Sequence, residues 1–293
     1  MLKLKKLLLA CGLLALSQPA LAVVIRHDVP DLRYRIQEAQ MQAIANLPHE
    51  GHGVLIAPRW ILTAAHATQW HPVTEIMLNG KCRKVERLIV HKGYKPLPKE
   101  LTAVGADVAP ALAVLAASDD IALMMLVERV SDVQPLELYR GSGEAGKLMQ
   151  VVGMGATGNG DMGQLPHSAH RTALRRAYNL VDTADTRWLG YVFDSGSGAH
   201  PLEGMSGNGD SGGPVLVEEQ GEWKLAGLTA WTSAEGKIGS GIPGKYGTRS
   251  FAVRVSRYLH WIDQEIATSK VPVASGSGEI ALSARPMECE CFR

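Results

Sequence analysis

The chain has 293 residues, of which 30 are Lys or Arg and 29 Asp or Glu, leaving a formal net charge of +1. That balance provides no field strong enough to draw the chain to nucleic acid or an anionic membrane, so neither is an expected partner. The length allows a sizeable apolar core, and abundant glycine with few aromatics suits short strands and tight turns.

Chain order begins with an export pattern. Met1–Lys6 is basic, Leu7–Leu16 is a short apolar run, and Ala20-Leu21-Ala22 has the small-x-small form that signal peptidase accepts. The run is too short for a stable membrane span. A competing lipid attachment at Cys11 leaves almost no apolar run before the cysteine. Residues 1–22 are therefore expected to be a signal peptide. The rest is expected to be exported to the periplasm or beyond the cell, with no stable membrane span.

Asp31 to Asn46 carries Leu32, Ile36, Ala39, Ala43 and Ile44 at a loose helical period behind an Asp that can cap it, so a helix is predicted there. Strands are predicted at Val54–Ala57 and Trp60–Leu62. A hairpin is predicted from Glu75–Leu78 through Asn79-Gly80 to Cys82–Val90, because Asn-Gly favours the positive φ angles of a two-residue turn. Leu97–Ser118, rich in Ala, Val and Pro, reads as an insertion. Further strands are predicted at Leu148–Gly153, Thr172–Leu180, Val215–Val217, Leu225–Trp231 and Ser250–Val253. Val255, Tyr258, Leu259, Ile262 and Ile266 then recur at helical spacing. Residues 268–293 begin a Gly/Ser-rich stretch that reads as a flexible or loosely docked tail. Many short strands at such spacing point to an all-β barrel or sandwich.

Three segments carry chemistry. Gly209-Asp210-Ser211-Gly212-Gly213-Pro214 places a serine where glycines permit a tight turn and bring N–H groups close to a substrate carbonyl. Leu62-Thr63-Ala64-Ala65-His66 supplies a histidine able to take and return a proton near neutral pH. Asp120-Ile121-Ala122-Leu123 supplies a carboxylate at the start of an apolar run, suited to holding the imidazole in one tautomer. Its neighbour Asp119 is read as a solvated loop residue.

Thr-Ala-Ala-His, Asp-Ile-Ala-Leu and Gly-Asp-Ser-Gly-Gly-Pro, in that order, resemble the signatures of the trypsin/chymotrypsin family of serine peptidases, and the sparse cysteines resemble its bacterial-type secreted branch. The order His, Asp, Ser separates this family from subtilisin-like and α/β-hydrolase arrangements. The resemblance spans Gly51 to about Ile266. It implies an all-β fold of two packed six-stranded antiparallel β-barrels with a C-terminal helix. The protease domain would cover residues 23–267, with the first barrel in 23–147 and the second barrel plus helix in 148–267. It implies a triad of His66, Asp120 and Ser211, with the N–H groups of Gly209 and Ser211 as the oxyanion hole. Asp210 would pair with the mature α-amino group, here Val23 if the signal peptide is cut after Ala22; no Arg-Ile-Val-Gly-Gly activation site is present.

Aligned back from Ser211, Met205 falls at the base of the specificity pocket, and Ala230, Trp231 and Thr232 match the strand that pairs with the substrate backbone. With no carboxylate at Met205, a small or medium apolar residue before the scissile bond is the expected preference; nearby Glu203 is assigned to the surface. The expected function is a secreted serine endopeptidase, a monomer acting on protein or peptide substrates, with no cofactor and no metal. The alternatives are a non-catalytic binding protein on the same scaffold and a secreted esterase of the same mechanism. A metal site at His49, Glu50 and His52 lacks His-Glu-x-x-His spacing. Once the signal is removed, Cys82, Cys289 and Cys291 remain. The expectation is that one tail cysteine bonds Cys82 or that all three stay free.

Overall fold

The computed structural model describes residues 23–268, apart from 70, 167, 169 and 234. The proposed signal peptide and all of the tail after residue 268 lie outside the described residues. Seventeen strands are described. After β1 (Val23–Ile25) come β2 (Ile44–Asn46), β3 (His52–Ala57), β4 (Trp60–Thr63), β5 (Glu75–Leu78), β6 (Lys81–Val90) and β7 (Ala122–Leu126). These six close into a barrel in the order β2-β3-β4-β7-β6-β5, every pair antiparallel. Apolar side chains fill it: Leu55, Ile61, Ile76, Leu78 and Met124 are fully buried. Closure leaves no unpaired edge on this half.

The second half contains β8 (Leu148–Gly153), β9 (Thr157–Asn159), β10 (Gly163–Gln164), β11 (Arg175–Leu180), β12 (Thr183–Ala184), β13 (Trp188–Val192), β14 (Gly204–Met205), β15 (Pro214–Glu219), β16 (Glu222–Thr232) and β17 (Arg249–Arg254). Seven of them form a curved antiparallel sheet, β11-β8-β15-β16-β17-β13-β12, a half-barrel and not a second closed barrel. β1 joins a smaller sheet, parallel to β9 and antiparallel to β14. One apolar cluster runs through both halves, with Val54, Leu62 and Leu123 from the barrel against Val152, Leu216 and Val253 from the sheet. The two halves thus meet face to face over a shared core, which fixes the cleft between them.

The helix expected over Asp31–Asn46 is overturned. The segment forms 3-10 turns at Asp31–Arg33 and Glu38–Met41 and then strand β2. Asp31 does not cap a helix there; its carboxylate accepts from Nε of the fully buried Arg175 at 2.6 Å and from its Nη2 at 3.1 Å. A buried guanidinium demands that partner more strongly than a solvated helix end does. Leu97–Ser118 contains the nine-residue helix α1 (Val108–Ala116), capped by Asp107 Oδ1 accepting from the Ala109 N–H at 2.9 Å. The C-terminal segment is a 3-10 turn, Val255–Tyr258, followed by α2 (Leu259–Thr268), which buries Ile262 and takes in Thr268, the residue assigned to the start of the tail. Cys82 is disulfide-bonded, and Cys11, Cys289 and Cys291 lie outside the described residues.

Candidate active site

The barrel contributes two groups at its face toward the half-barrel. His66 sits on a 3-10 turn, Ala65–Thr68, directly after β4, and Asp120 immediately precedes the buried run into β7. β4 and β7 are paired through Thr63↔Ala122, so the barrel ladder sets the spacing of the two side chains. Asp120 Oδ1 accepts the backbone N–H of His66 at 2.8 Å, and Oδ2 accepts from Nδ1 at 2.6 Å. An ionised carboxylate only accepts, so Nδ1 carries the proton and Nε2 is left as the base. Nε2 lies 2.7 Å from Ser211 Oγ.

Burial alone would lower the pKa of His66. The charge of Asp120 and its hydrogen bond outweigh that, leaving the imidazole above its ordinary value.

Ser211 lies in the loop from β14 to β15. Gly209 has φ +90 and Gly212 φ +74, the left-handed region that glycine enters without penalty. A Cβ on Gly212 would lie 2.3 Å from the His52 carbonyl. The loop is pinned to both halves: the His52 N–H of the barrel donates to the Ser211 carbonyl at 2.7 Å, and the Gly212 N–H to the Thr229 carbonyl of the half-barrel at 2.8 Å. Among the described residues the N–H groups of Gly209 and Ser211 have no protein acceptor.

Asp210 is fully buried. Its oxygens accept from the Gly155 N–H at 2.7 Å and the Gly207 N–H at 2.8 Å. Burial nonetheless pushes its pKa up to about 7, against those two bonds. Among the described residues the basic side chain within 4 Å of it is His52, with Nε2 at 3.8 Å. His52 does not supply a charge. Burial first, and the charge of Arg171 second, hold its pKa down to about 3. Its Nε2 accepts from the Met154 N–H at 3.3 Å while Nδ1 faces Asn46 Oδ1 at 2.9 Å, the pattern of a neutral ring. Val23, fully buried, stands beside Thr157 in the β1–β9 ladder, two residues from Gly155. Its φ of +65 is a strained value for a β-branched residue.

Met205 is fully buried in the half-barrel core, paired with Val24 across the β1–β14 ladder. Next to it Ser206 Oγ lies 3.2 Å from Ser250 Oγ and 3.3 Å from the Tyr191 hydroxyl, a buried polar network not foreseen from sequence. Ala230, Trp231 and Thr232 are half-buried, with Trp231 stacked on Phe251 at 3.9 Å and edge-on to Trp188 at 5.5 Å.

Two carboxylates read as solvent-facing are corrected. Glu203 is only 3% exposed and accepts from the Asp194 and His200 N–H groups at 2.6 Å each; burial raises its pKa. Asp119 accepts from Arg187 Nε at 2.8 Å and the Tyr258 hydroxyl at 2.9 Å, tying the halves together. On the other side of Ser211 a cavity of about 620 Å³ is lined by Glu50, Gln164, His170, Asn208 and Gly209, with Glu50 Oε1 2.9 Å from His170 Nδ1. The hexapeptide glycines gave signal for the serine loop. The sequence offered His52 only as part of a metal motif of the wrong spacing, and nothing local marks Ser250 or His170; all three meet the site through the fold.

The family model described as "Trypsin" matches residues 33–262. A curated relative, a calcium-dependent serine proteinase of Mesocricetus auratus, is 27% identical over 268 residues, covering 81% of this chain and 35% of its own length. The chain thus spans about a third of that relative. Among solved structures, mouse neuropsin, a serine protease, superposes with a TM-score of 0.58 at 21% identity, covering 80% of this chain and 98% of its own. That likeness concerns the fold, which is chymotrypsin-like and all-β.

Proposed function

The chain belongs to the trypsin family, and we propose that it is an exported serine endopeptidase whose triad is His66, Asp120 and Ser211. The observation that carries this reading is the unbroken relay from Asp120 through His66 to Ser211 Oγ, at 2.6 and 2.7 Å. In the reaction Oγ attacks the scissile carbonyl and its proton passes to His66 Nε2. Asp120 steadies the imidazolium that forms. The negative charge on the substrate oxygen falls to the N–H groups of Gly209 and Ser211, each worth about 2.7–4 kcal/mol in such sites. His66 then returns the proton to the leaving amine, the acyl-enzyme is left on Ser211, and water releases it by the same route in reverse.

Activation follows from the charge at Asp210. Cleavage after Ala22 would free an α-amine at Val23, beside the turn that holds the carboxylate. A φ angle exists at Val23 only while a residue precedes it, so the same cut releases the strain there. The α-ammonium would give Asp210 a cation in direct contact and fix the Gly209–Ser211 loop. Export thereby replaces a separate activating cleavage, and few cysteines fit an exported, cysteine-poor branch of the family such as its bacterial members. The protease domain is residues 23–267, divided as 23–147 and 148–267, followed by a tail. No described helix is long and apolar enough to cross a membrane. We take the mature protein to act as a monomer on protein or peptide substrates, with Met205, Ala230, Trp231 and Thr232 around the residue before the scissile bond.

The test is intact mass after treatment with a fluorophosphonate probe, on the chain starting at Val23 and its Ser211→Ala variant. One adduct on the parent and none on the variant is the expected result. A folded parent that takes no adduct would overturn the catalytic reading in favour of a binding protein. Turnover of esters without any of peptides would assign an esterase.

A further inference from the structure

β16 is paired on both sides only as far as its middle. Its ladder with β15 ends at Pro214↔Leu228, and Thr229 then bonds the Gly212–Gly213 turn. From Ala230 to Thr232 the strand keeps β17 on one edge, through Trp231↔Phe251 and Thr232↔Ser250; among the described residues the other edge has no strand partner. That open edge starts beside Ser211 and leads away from it. An unpaired edge is a template for a further extended chain. Every pair of named strands in this sheet is antiparallel. A peptide added antiparallel would enter at Thr232 and reach Ser211 with its C-terminal part, so the paired residues are those before the scissile bond.

Beyond Thr232 the chain is tied to the barrel. The insertion from the barrel lies against the loop that follows β16: the Gly105 N–H donates to the Ile238 carbonyl at 2.9 Å, the Ile238 N–H to the Ala106 carbonyl at 2.8 Å, and the Val108 N–H to the Gly236 carbonyl at 3.1 Å. Val104, itself exposed, lies near Gly239, where an added Cβ would meet it at 3.3 Å. The other end of α1 is anchored as well, with the Ala116 carbonyl accepting from Trp188 Nε1 at 2.9 Å. Three backbone hydrogen bonds thus join a segment that leads into Asp120 to one that leaves Thr232, from one half of the molecule to the other.

We propose that this strap, residues 104–108 on 236–239, closes the acyl side of the cleft and makes the protease selective for peptides with a short segment before the scissile bond. Three paired residues at a rise of about 3.3 Å span roughly 10 Å, so the strap is met after about three or four substrate residues. The inference rests on the catalytic reading above and specifies its substrate class.

The experiment measures kcat/KM for N-acetylated peptides with two to six residues ahead of one chromogenic amine. It uses the parent, Ile238→Pro, which removes a strap N–H, and a variant in which residues 101–107 are replaced by three glycines. The parent is expected to turn over three-residue substrates best and six-residue ones at least about tenfold more slowly. Both variants should recover the long substrates while holding three-residue turnover within about twofold; either folded variant suffices. Equal turnover of all lengths by the parent would overturn the strap and leave the protease reading standing, as would a cut-off that survives in the variants. No turnover at any length, together with no fluorophosphonate adduct, would overturn both.

Discussion

At the residue scale, the groups around Ser211 divide by how they meet charge. His66 offers Asp120 two donors, one from the ring and one from the backbone. His52 is buried without such a partner and stays neutral. Its folded pKa of about 3 lies below the ordinary histidine value. Between those values the unfolded chain binds the extra proton, so the stability that neutral His52 contributes is complete above about pH 6.5 and lost as pH falls toward 3. His52→Gln supplies an amide able to donate and accept but does not titrate. We expect it to destabilise at pH 7, with the deficit shrinking toward pH 4.5 by up to about 1.4 kcal/mol per pH unit. Urea denaturation of both proteins across that range checks this; a deficit independent of pH would show that His52 does not titrate with folding.

At the element scale, strands with strong local patterning were readable. Leu148–Gly153 falls where it was predicted, and the Asn79-Gly80 turn joins β5 to β6 with positive φ at both residues. The failures are of two kinds. Very short strands, such as β9, β10, β12 and β14, are defined by their partners and carry no period of their own. The segment after Asp31 has a helical period that the bond from Arg175 overrides, and Ile36 donates to the Leu174 carbonyl in place of a helical acceptor. Helix α1 lies inside the insertion and depends on its cap. Asp107→Ala is expected to cost about 1 kcal/mol locally, seen as roughly fivefold faster amide exchange in Val108–Ala116, with the core strands β4 and β7 unaffected. Unchanged exchange in α1 would mean that its contacts with the half-barrel, and not the cap, hold it.

At the scale of the whole molecule, the proposed activation couples the buried carboxylate of Asp210 to a new N-terminus at Val23. Burial holds the carboxylate's folded pKa at about 7, above its unfolded value near 3.8, against two backbone hydrogen bonds and the charge of Arg175. Folded protein then holds the extra proton, so stability falls as pH rises between those values. An α-ammonium at Val23 removes that loss by stabilising the carboxylate. Two proteins, one starting at Val23 and one with Met-Ala ahead of it, should therefore diverge between pH 4.5 and 7.5, the Val23 form becoming relatively more stable. The contribution of His52 is common to both and cancels in the difference. Parallel profiles would separate Asp210 from the N-terminus.

What sequence alone marked are the groups that the proposed chemistry needs, because their requirements are local: glycines around Ser211, a histidine after a strand, an aspartate at the head of an apolar run. Each needs a particular residue at a particular position, so each leaves a mark in the chain. The closed barrel and chymotrypsin-like fold followed from those marks through family resemblance and many short strands. Tertiary structure alone decided the rest. Glu203 became a buried acceptor and Asp119 a half-buried one because backbone N–H groups and a cation from elsewhere converge on them. The strap joins segments some 130 residues apart through backbone N–H and C=O groups. Every residue but proline carries both, so no side-chain pattern could announce where they would meet.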